Sequence, residues 1–549
     1  MSSATTTTLP RARGGVLGLI ASTDHKNVAI RIFLTGFFFF VAGGILALLI
    51  RTELYSPGQQ LVNQDHYNEI FSMHGSTMIY LFVVPISLAL GIYFVPLQVG
   101  AAEIALPRLA LLGWWLLIGG GITMWLGWFT QNGPGDAGWT AYDPLSDATN
   151  TPGDGMYLWI IGVMLAATSA ALLSACILAT VMRRRAPGMT LLRMPVFTWS
   201  MLMTSVLMIV AAPALLVAMA LLFWERVYGG VFNTSGGPIA YQNLFWFFGH
   251  PVVYVMFFPF VGAVGEVIAT FSRKRFFGYR AHVAALLLFT ALSTSVWAHH
   301  MFATGQITVK YFSLTSTALI IPAGIEYLDL VGTMWGGRIR LGVPMAFAIG
   351  FILQFLVGGL SGIFSGSPPL DYHVTDTYFI VGHFHYTLFA GSLFGFFAAF
   401  YYWWPKVTGT FLRTGIGWVH FALLFVGANL TFFPMFFLGY DGMPRRVGDY
   451  APQFTDLNRV STIGAFIIAL GILAWLVNIV VSLVRREPAP ADPWDGHTLE
   501  WATSSPPPRH NFDRPLPPIR SYAPLFDARY GEGVGYPPPE AKRSEGAEA

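Results

Sequence analysis

Twelve apolar runs, each long enough to cross a bilayer and joined by short polar loops, fill the sequence between residues 28 and 484. Lipid offers backbone amides no partner, so a run of about 20 apolar residues is stable there only as a helix that satisfies its own N–H and C=O groups. The runs lie at roughly 28–51, 69–98, 109–130, 156–182, 195–224, 241–271, 282–304, 312–333, 342–365, 377–403, 416–438 and 459–484. They predict an all-α integral membrane protein with twelve transmembrane helices. Composition agrees, because 54% of residues are hydrophobic and only 11% are charged, too few charges for a water-soluble chain of this length.

The basic residues are unevenly shared between the two sides. With the amino terminus placed inside, the inner loops and flanks hold 19 Lys and Arg, the outer ones hold 6, and the last 6 of the 31 follow Arg486. That bias predicts both termini in the cytoplasm. The opening MSSATTTTLPRARGG lacks the apolar core of a cleavable signal. Three parts are expected: a cytoplasmic segment 1–27, a twelve-helix domain 28–486, and a Pro-rich cytoplasmic tail 487–549. The proline density of 504-SSPPPRHNFDRPLPP predicts a tail laid on the cytoplasmic face or on a partner, without a packed helix. Segments 131–155 and 226–240, rich in Gly, Asp and Pro, are expected as irregular outer surface. The single cysteine, Cys176, lies in an apolar run. It excludes an internal disulfide and a cysteine-based metal site, and reads as a small buried hydrophobe. Nothing in the charge pattern calls for a nucleic-acid partner.

Of the 13 histidines, six inside predicted spans are unusually placed: His74, His250, His299, His300, His383 and His385. An ionisable group in a membrane normally faces the bundle interior with a partner. One such histidine is more often structural than ligating; six on four helices shift the balance toward metal. Imidazole is a common ligand for iron, copper and zinc, and a metal takes the lone pair that lipid leaves unsolvated. His383 and His385 are two residues apart, about 200° around a helix, so they face opposite sides and serve different centres. His250 and Tyr254 share one face at i, i+4. His299 and His300, about 100° apart, share a metal only if the backbone departs from a regular helix. The lack of a carboxylate cage argues against calcium or magnesium as the central ion.

The stretches 21-ASTDHKNVAIR, 95-VPLQVGA, 242-QNLFWFFGHPVVY, 296-VWAHHMFATG, 376-DTYFIVGHFHY, 443-MPRRVGDY and 492-DPWDGHTLEWATSSPPPRHNF occur in this order along nearly the whole chain. Together the pattern resembles subunit I of the haem-copper oxidase superfamily, the catalytic subunit of cytochrome c and quinol oxidases. The resemblance implies that His74 and His385 are axial ligands of a low-spin haem and His383 the proximal ligand of a high-spin haem. It implies that His250, His299 and His300 hold a copper ion, with Tyr254 covalently joined to His250. Arg445 and Arg446 would meet haem propionates, which suit bidentate guanidinium. Trp246, one turn before His250, is expected to pack against the copper site. The implied cofactors are two haems of A type and one copper, with magnesium left open. The implied partners are subunits II and III, cytochrome c or quinol as donor, O2 and membrane lipid. The implied location is a bacterial or archaeal cell membrane.

Four-electron reduction of oxygen explains the set. Two metals supply three electrons, a phenol beside them supplies a fourth and a proton, and the second haem refills the pair.

The proton-conducting positions depart from the family pattern. Relatives often place Glu two residues after the first copper histidine, where this chain has Val252, and Asp where it has Glu103. Ile92 and Ala110 stand where asparagines are common. On the eighth span, 322-PAGIEYLDL has Glu326 in place of the usual Lys, and the sixth span carries Glu266. Buried carboxylates relay protons when burial makes them harder to ionise, so Glu326 and Glu266 are the expected proton route, with Glu103 at the mouth of the other. In place of the His-Asp that supplies magnesium in relatives stands Thr375-Asp376, with His373 nearby. Oxygen reduction is the leading expectation, because Tyr254 is retained and two-electron NO chemistry does not need it. Nitric oxide reduction within the same superfamily and a twelve-helix transporter remain open; the last would be colourless.

Overall fold

The computed structural model describes residues 16–534. The outermost parts of the expected terminal segments, 1–15 and 535–549, lie outside the described residues. Twelve helical spans, numbered α1 to α12, are long and apolar enough to cross a membrane. They are His25–Glu53, Gln64–Gln98, Pro107–Phe129, Gly155–Arg183, Val196–Tyr228, Gly237–Phe271, Tyr279–Thr304, Val309–Met334, Val343–Gly366, Tyr378–Thr408, Thr414–Tyr440 and Pro452–Arg485. No β-strand occurs among the described residues; two isolated bridges, Thr377 with Pro444 and Thr410 with Pro488, are all the extended pairing present.

Several starts carry recognisable signals. The Asp24 side chain accepts from Lys26 N at 3.0 Å to cap α1, and the Asn63 side chain accepts from His66 N to cap α2. Proline opens α3 and α6 within the first turn, where a missing N–H costs nothing.

Burial sorts the spans. The most apolar stretches of α2 and α6 are 83% and 89% buried, whereas those of α12 and α8 are 22% and 28% buried. So α2 and α6 form the centre and α1, α8 and α12 the lipid-facing rim. The centre is where the histidines lie.

Two spans widen beside their histidines. In α2 the α-helix gives way to a π-helical stretch at Thr77–Val83, three residues after His74. In α10 the π-helical stretch is His385–Leu393 and begins at a histidine. Such bulges recur at functional sites because they re-aim side chains without ending the helix. In α7 the α-helix stops at Ser293, and Trp297–Thr304 follows as a 3-10 helix.

The tail is more ordered than its composition predicts. It runs across one end of the bundle, here called the tail face. Lys406 Nζ at the end of α10 donates to the carbonyls of Ala491, Thr503 and Ser504 at 2.9, 2.7 and 3.2 Å. Buried Asn511 bonds His25 and Lys26 at the start of α1 and Ala101 between α2 and α3. Arg275 between α6 and α7 pairs with Asp527. A seven-residue helix, Pro524–Tyr530, packs with Phe526 fully buried. This corrects the expectation of a tail without a packed helix: Pro524 opens the helix, the one place where proline fits.

Candidate metal centre

His250 sits mid-way along α6, directly before Pro251. Proline has no N–H and interrupts the i to i−4 ladder there. His299 and His300 sit in the 3-10 turn of α7, whose tighter winding supplies the distortion that adjacent ligands need. The three rings converge: His299 Nε2 is 3.1 Å from His300 Nε2, which is 3.4 Å from His250 Nδ1. One nitrogen from each lies within 4.8 Å of the other two, and among the described residues no other group of three His, Cys, Asp or Glu does this.

A hydrogen bond to the far side of one ring assigns its tautomer. Ser316 on α8 donates its hydroxyl to Phe312 O, so it accepts from His299 Nδ1 at 2.8 Å. The lone pair of a neutral His299 is therefore on Nε2, facing the other two rings. Three imidazole nitrogens, one with its lone pair turned inward, meet inside the bundle, and such a donor set fits a metal ion. Trp246 lies flat on His300, centroids 3.7 Å apart and planes 12° apart, and its indole N–H bonds the Tyr142 hydroxyl. Tyr142 comes from the outer segment 131–155, expected only as surface; that segment sends its aromatics inward to the histidines.

Tyr254 lies one turn beyond His250, ring centroids 4.8 Å apart, and His250 Nε2 is buried without a hydrogen-bond partner. Glu326 on α8 lies against Phe257 and Val261, in the turns of α6 that follow Tyr254; its residue is 2% exposed and both carboxylate oxygens lack a partner.

The remaining histidines follow the same pattern. His383 donates Nδ1–H to Ser361 Oγ at 3.0 Å and Gly358 O at 3.1 Å, both on α9. Gly362 makes room for the ring, since a Cβ there would lie 3.1 Å from His383 Cε1. His385 donates Nδ1–H to Val381 O at 2.9 Å and stacks on Phe432 of α11, centroids 4.5 Å apart. The two rings therefore engage different neighbouring helices. His74 donates Nδ1–H to Gly43 O on α1 at 2.9 Å. A carbonyl only accepts, so all three carry the proton on Nδ1 and the lone pair on Nε2, the form that ligates iron. His74, His383 and His385 are only half-buried although they lie inside the bundle, so their rings border internal space.

Arg51 belongs to the same region, although by sequence it is one of the six outer basic residues, at the end of the first span. Its residue is 5% exposed, its Nη2 bonds Asn458 and Thr462 on α12, its side chain also meets Tyr378 on α10, and Nε and Nη1 make no close hydrogen bond. Buried donors without acceptors, beside imidazoles with outward lone pairs, fit a prosthetic group with polar edges.

Arg445 bonds Asp376 through Nε at 2.9 Å and Nη2 at 2.6 Å. Burial opposes ionisation of Asp376, yet Arg445 holds its carboxyl below the usual range. Arg446 passes over Gly138, and burial together with the Arg445 charge pushes its guanidinium down to about 10. It stays protonated at neutral pH. His373 donates Nε2–H to Tyr440 O at 3.1 Å. Glu266 accepts from Phe197 N at 3.3 Å, holding the first turn of α5, and Glu103 is exposed on the loop after α2.

Comparison with known proteins agrees. The family model "Cytochrome C and Quinol oxidase polypeptide I" matches residues 27–467. A probable cytochrome c oxidase subunit 1-beta of Nocardia farcinica is 45% identical over 518 residues, 93% of this chain and 88% of that protein. A putative subunit 1-beta of Streptomyces coelicolor is 46% identical over 515 residues, 93% and 90% of the two chains. Among solved structures, a heme-copper terminal oxidase dimer matches with TM-score 0.75 at 17% identity, covering 85% of this chain and 86% of that one, which speaks to the fold. With its twelve apolar spans and converging histidines, the chain belongs to the family of cytochrome c and quinol oxidase polypeptide I, the subunit I of haem-copper oxidases.

Proposed function

We propose that this chain is the catalytic subunit of a respiratory terminal oxidase that reduces O2 to water in a bacterial cell membrane. Electrons would come from cytochrome c, the donor its relatives' names indicate, or from quinol, through a complex with subunits II and III. The observation that carries the reading is the convergence of His250 Nδ1, His299 Nε2 and His300 Nε2, with Tyr254 alongside. His250, His299 and His300 would hold copper, which nitrogen donors bind more tightly than the other first-row divalent ions. His383 would hold a high-spin haem, and His74 and His385 a low-spin haem, both taken as A-type. Once bound, these groups supply the redox chemistry and the site at which oxygen is reduced.

The protein's own contribution is ligand orientation and proton handling. Ser316, Ser361 and the carbonyls of Gly43, Gly358 and Val381 hold the histidine tautomers. Tyr254, whose ring abuts His250, would give an electron and a proton to the reaction and be joined covalently to His250. Arg445 and Arg446 would meet propionates. Glu326 would pass protons to Tyr254. Glu266 and Glu103 lie toward the tail face, whereas Glu326 lies against Phe257 and Val261, which follow Tyr254 along α6. The basic bias of the tail face supports placing that face in the cytoplasm.

The test is reduced-minus-oxidised spectroscopy with metal analysis on the purified complex, followed by O2 and NO consumption on one preparation. Two haem signatures, one copper per chain and O2 consumption are expected. A copper-free preparation, or one that consumes NO and not O2, would overturn the reading.

A further inference from the structure

Three buried ionisable groups on α7 and α8 have carboxylate or imidazole atoms without a hydrogen-bond partner: Glu326, Asp329 and His282. Both Glu326 oxygens, Asp329 Oδ2 and both His282 ring nitrogens are buried and unpaired. The residues are 2%, 4% and 0% exposed. Native proteins seldom leave such atoms unsatisfied, and a cluster of them asks for a reason. A structural ion pair does not supply it, because buried pairs that serve stability are closely hydrogen-bonded. Here His282 Nδ1 stands 4.0 Å from Asp329 Oδ2. That gap suits one bridging water or a small side-chain movement.

The three groups form a line. Glu326 and Asp329 are three residues apart on α8 and share a face. On α6, Phe257 and Val261 continue the stripe that begins at Tyr254 and close a cavity of about 10 Å3 against Glu326, at the lower limit for a single water. From Glu326 the line leads through Asp329 to His282, in the first turn of α7, at the tail-face end of the bundle. There the loop 272–278 covers Asp329 with its one residue that has no side chain. Gly278 has φ +67°, and a Cβ on it would come within 1.9 Å of Asp329 Oδ1. The carboxylate thus packs directly on the loop backbone at Gly278.

We propose that Asp329 and His282 carry protons from the tail face to Glu326, completing a relay toward Tyr254 that lies wholly within this chain. The inference rests on the oxidase reading and on Glu326 as the proton donor to Tyr254. Each hop moves one proton and no electrons. His282 imidazolium gives its proton to the Asp329 carboxylate, the Asp329 acid gives a proton to the Glu326 carboxylate, and His282 recovers one from the tail-face solution.

The test uses the assembled oxidase with Glu326→Gln, Asp329→Asn, Asp329→Glu and His282→Gln. It reads turnover per intact haem, the solvent deuterium isotope effect, and the infrared C=O stretch of buried carboxylic acids. Glu326→Gln and Asp329→Asn are expected to lower turnover by about 10-fold or more, with a larger isotope effect and unaltered haem spectra. Asp329→Asn should also remove a C=O band, His282→Gln should act in the same direction, and Asp329→Glu should restore at least about half of the turnover. Full turnover in both Asp329→Asn and His282→Gln, with Glu326→Gln impaired, overturns the relay and leaves the Glu326 assignment standing. Full turnover in all three means the Glu326 assignment itself has failed. Slow turnover in Asp329→Asn with an unchanged isotope effect and no rescue by Asp329→Glu assigns Asp329 a structural role and also overturns the relay. If Asp329→Asn does not assemble, His282→Gln decides by the same criteria.

Discussion

Trp246 lies flat against His300, ring centroids 3.7 Å apart and planes 12° apart, and is tied by its indole N–H to Tyr142. The contact fixes the plane of a ring that protein surrounds less fully than its two partners. Trp246→Ala would let the His300 ring turn and withdraw one nitrogen from the cluster. Copper affinity should fall by about 10–100-fold, the usual cost of losing a group that orients a ligand. Trp246→Phe, which still stacks, should retain most of it. The measurement is the copper-to-haem ratio after dialysis against a graded chelator; equal ratios in wild type and Trp246→Ala would refute the role.

Ser316 orients His299 by a hydrogen bond rather than a stack. Its hydroxyl accepts Nδ1–H from His299 at 2.8 Å and donates its own O–H to Phe312 O. Ser316→Ala frees Nδ1, so the imidazole can place its proton on Nε2, where the lone pair is needed. Copper affinity should drop by about 10-fold or more, with the haem bands unaffected. Ser316→Thr, which keeps the hydroxyl, should behave like wild type. Loss of copper in both variants alike would point to packing instead.

Lys406 bonds three tail carbonyls and is itself fully buried. Replacing it with Met leaves those carbonyls without a donor, at roughly 1–3 kcal/mol each where they stay dry. The tail should then leave the tail face while the bundle, whose own contacts are intact, keeps its fold. Limited proteolysis should cut Lys406→Met within 487–534 under conditions that leave wild type whole, with unchanged haem absorbance in the resistant core. A tail equally protected in both proteins would show that its remaining contacts suffice.

The spans and the histidines were legible in the sequence because both are local. Apolar length marks a crossing without knowledge of its neighbours, and an imidazole in such a run is conspicuous by residue type alone. The opposed directions of His383 and His385 follow from a spacing of two. What the sequence hid is what depends on distant chain. The Nδ1–H of His74 meets Gly43, 31 residues away, and that of His383 meets Ser361, 22 residues away; no period or motif connects such pairs. The π-helical stretches after His74 and at His385 have no composition signal, since a widened turn uses the same residues as a regular one. Tyr142 was missed because its Gly- and Asp-rich surroundings describe backbone freedom and not side-chain direction. Arg51 was read as a flank charge, and only the fold shows it enclosed by Asn458 and Thr462.

Asp143 offers a test by pH. It lies in the outer segment 131–155, outside the spans, with both carboxylate oxygens buried and unpaired. Burial, with Glu225 and Asp147 nearby, pushes its carboxyl up to about 6. An unfolded aspartate has a value of about 3.9. Below the unfolded value both states are protonated and the group costs nothing. As pH rises toward 6 the unfolded chain releases the proton while the folded one retains it, so stability falls; above 6 the loss is complete and constant. Asp143→Asn removes this titration. The thermal midpoint of the variant relative to wild type should therefore climb between pH 4 and 6 by about 2–4 °C and stay level beyond it. The other carboxylates are common to both proteins and cancel in the difference. The midpoint is read from loss of haem absorbance on heating. A difference that is flat from pH 4 to 8, or that shrinks as pH rises, would mean that Asp143 is ionised and stabilised by a partner in the assembled complex.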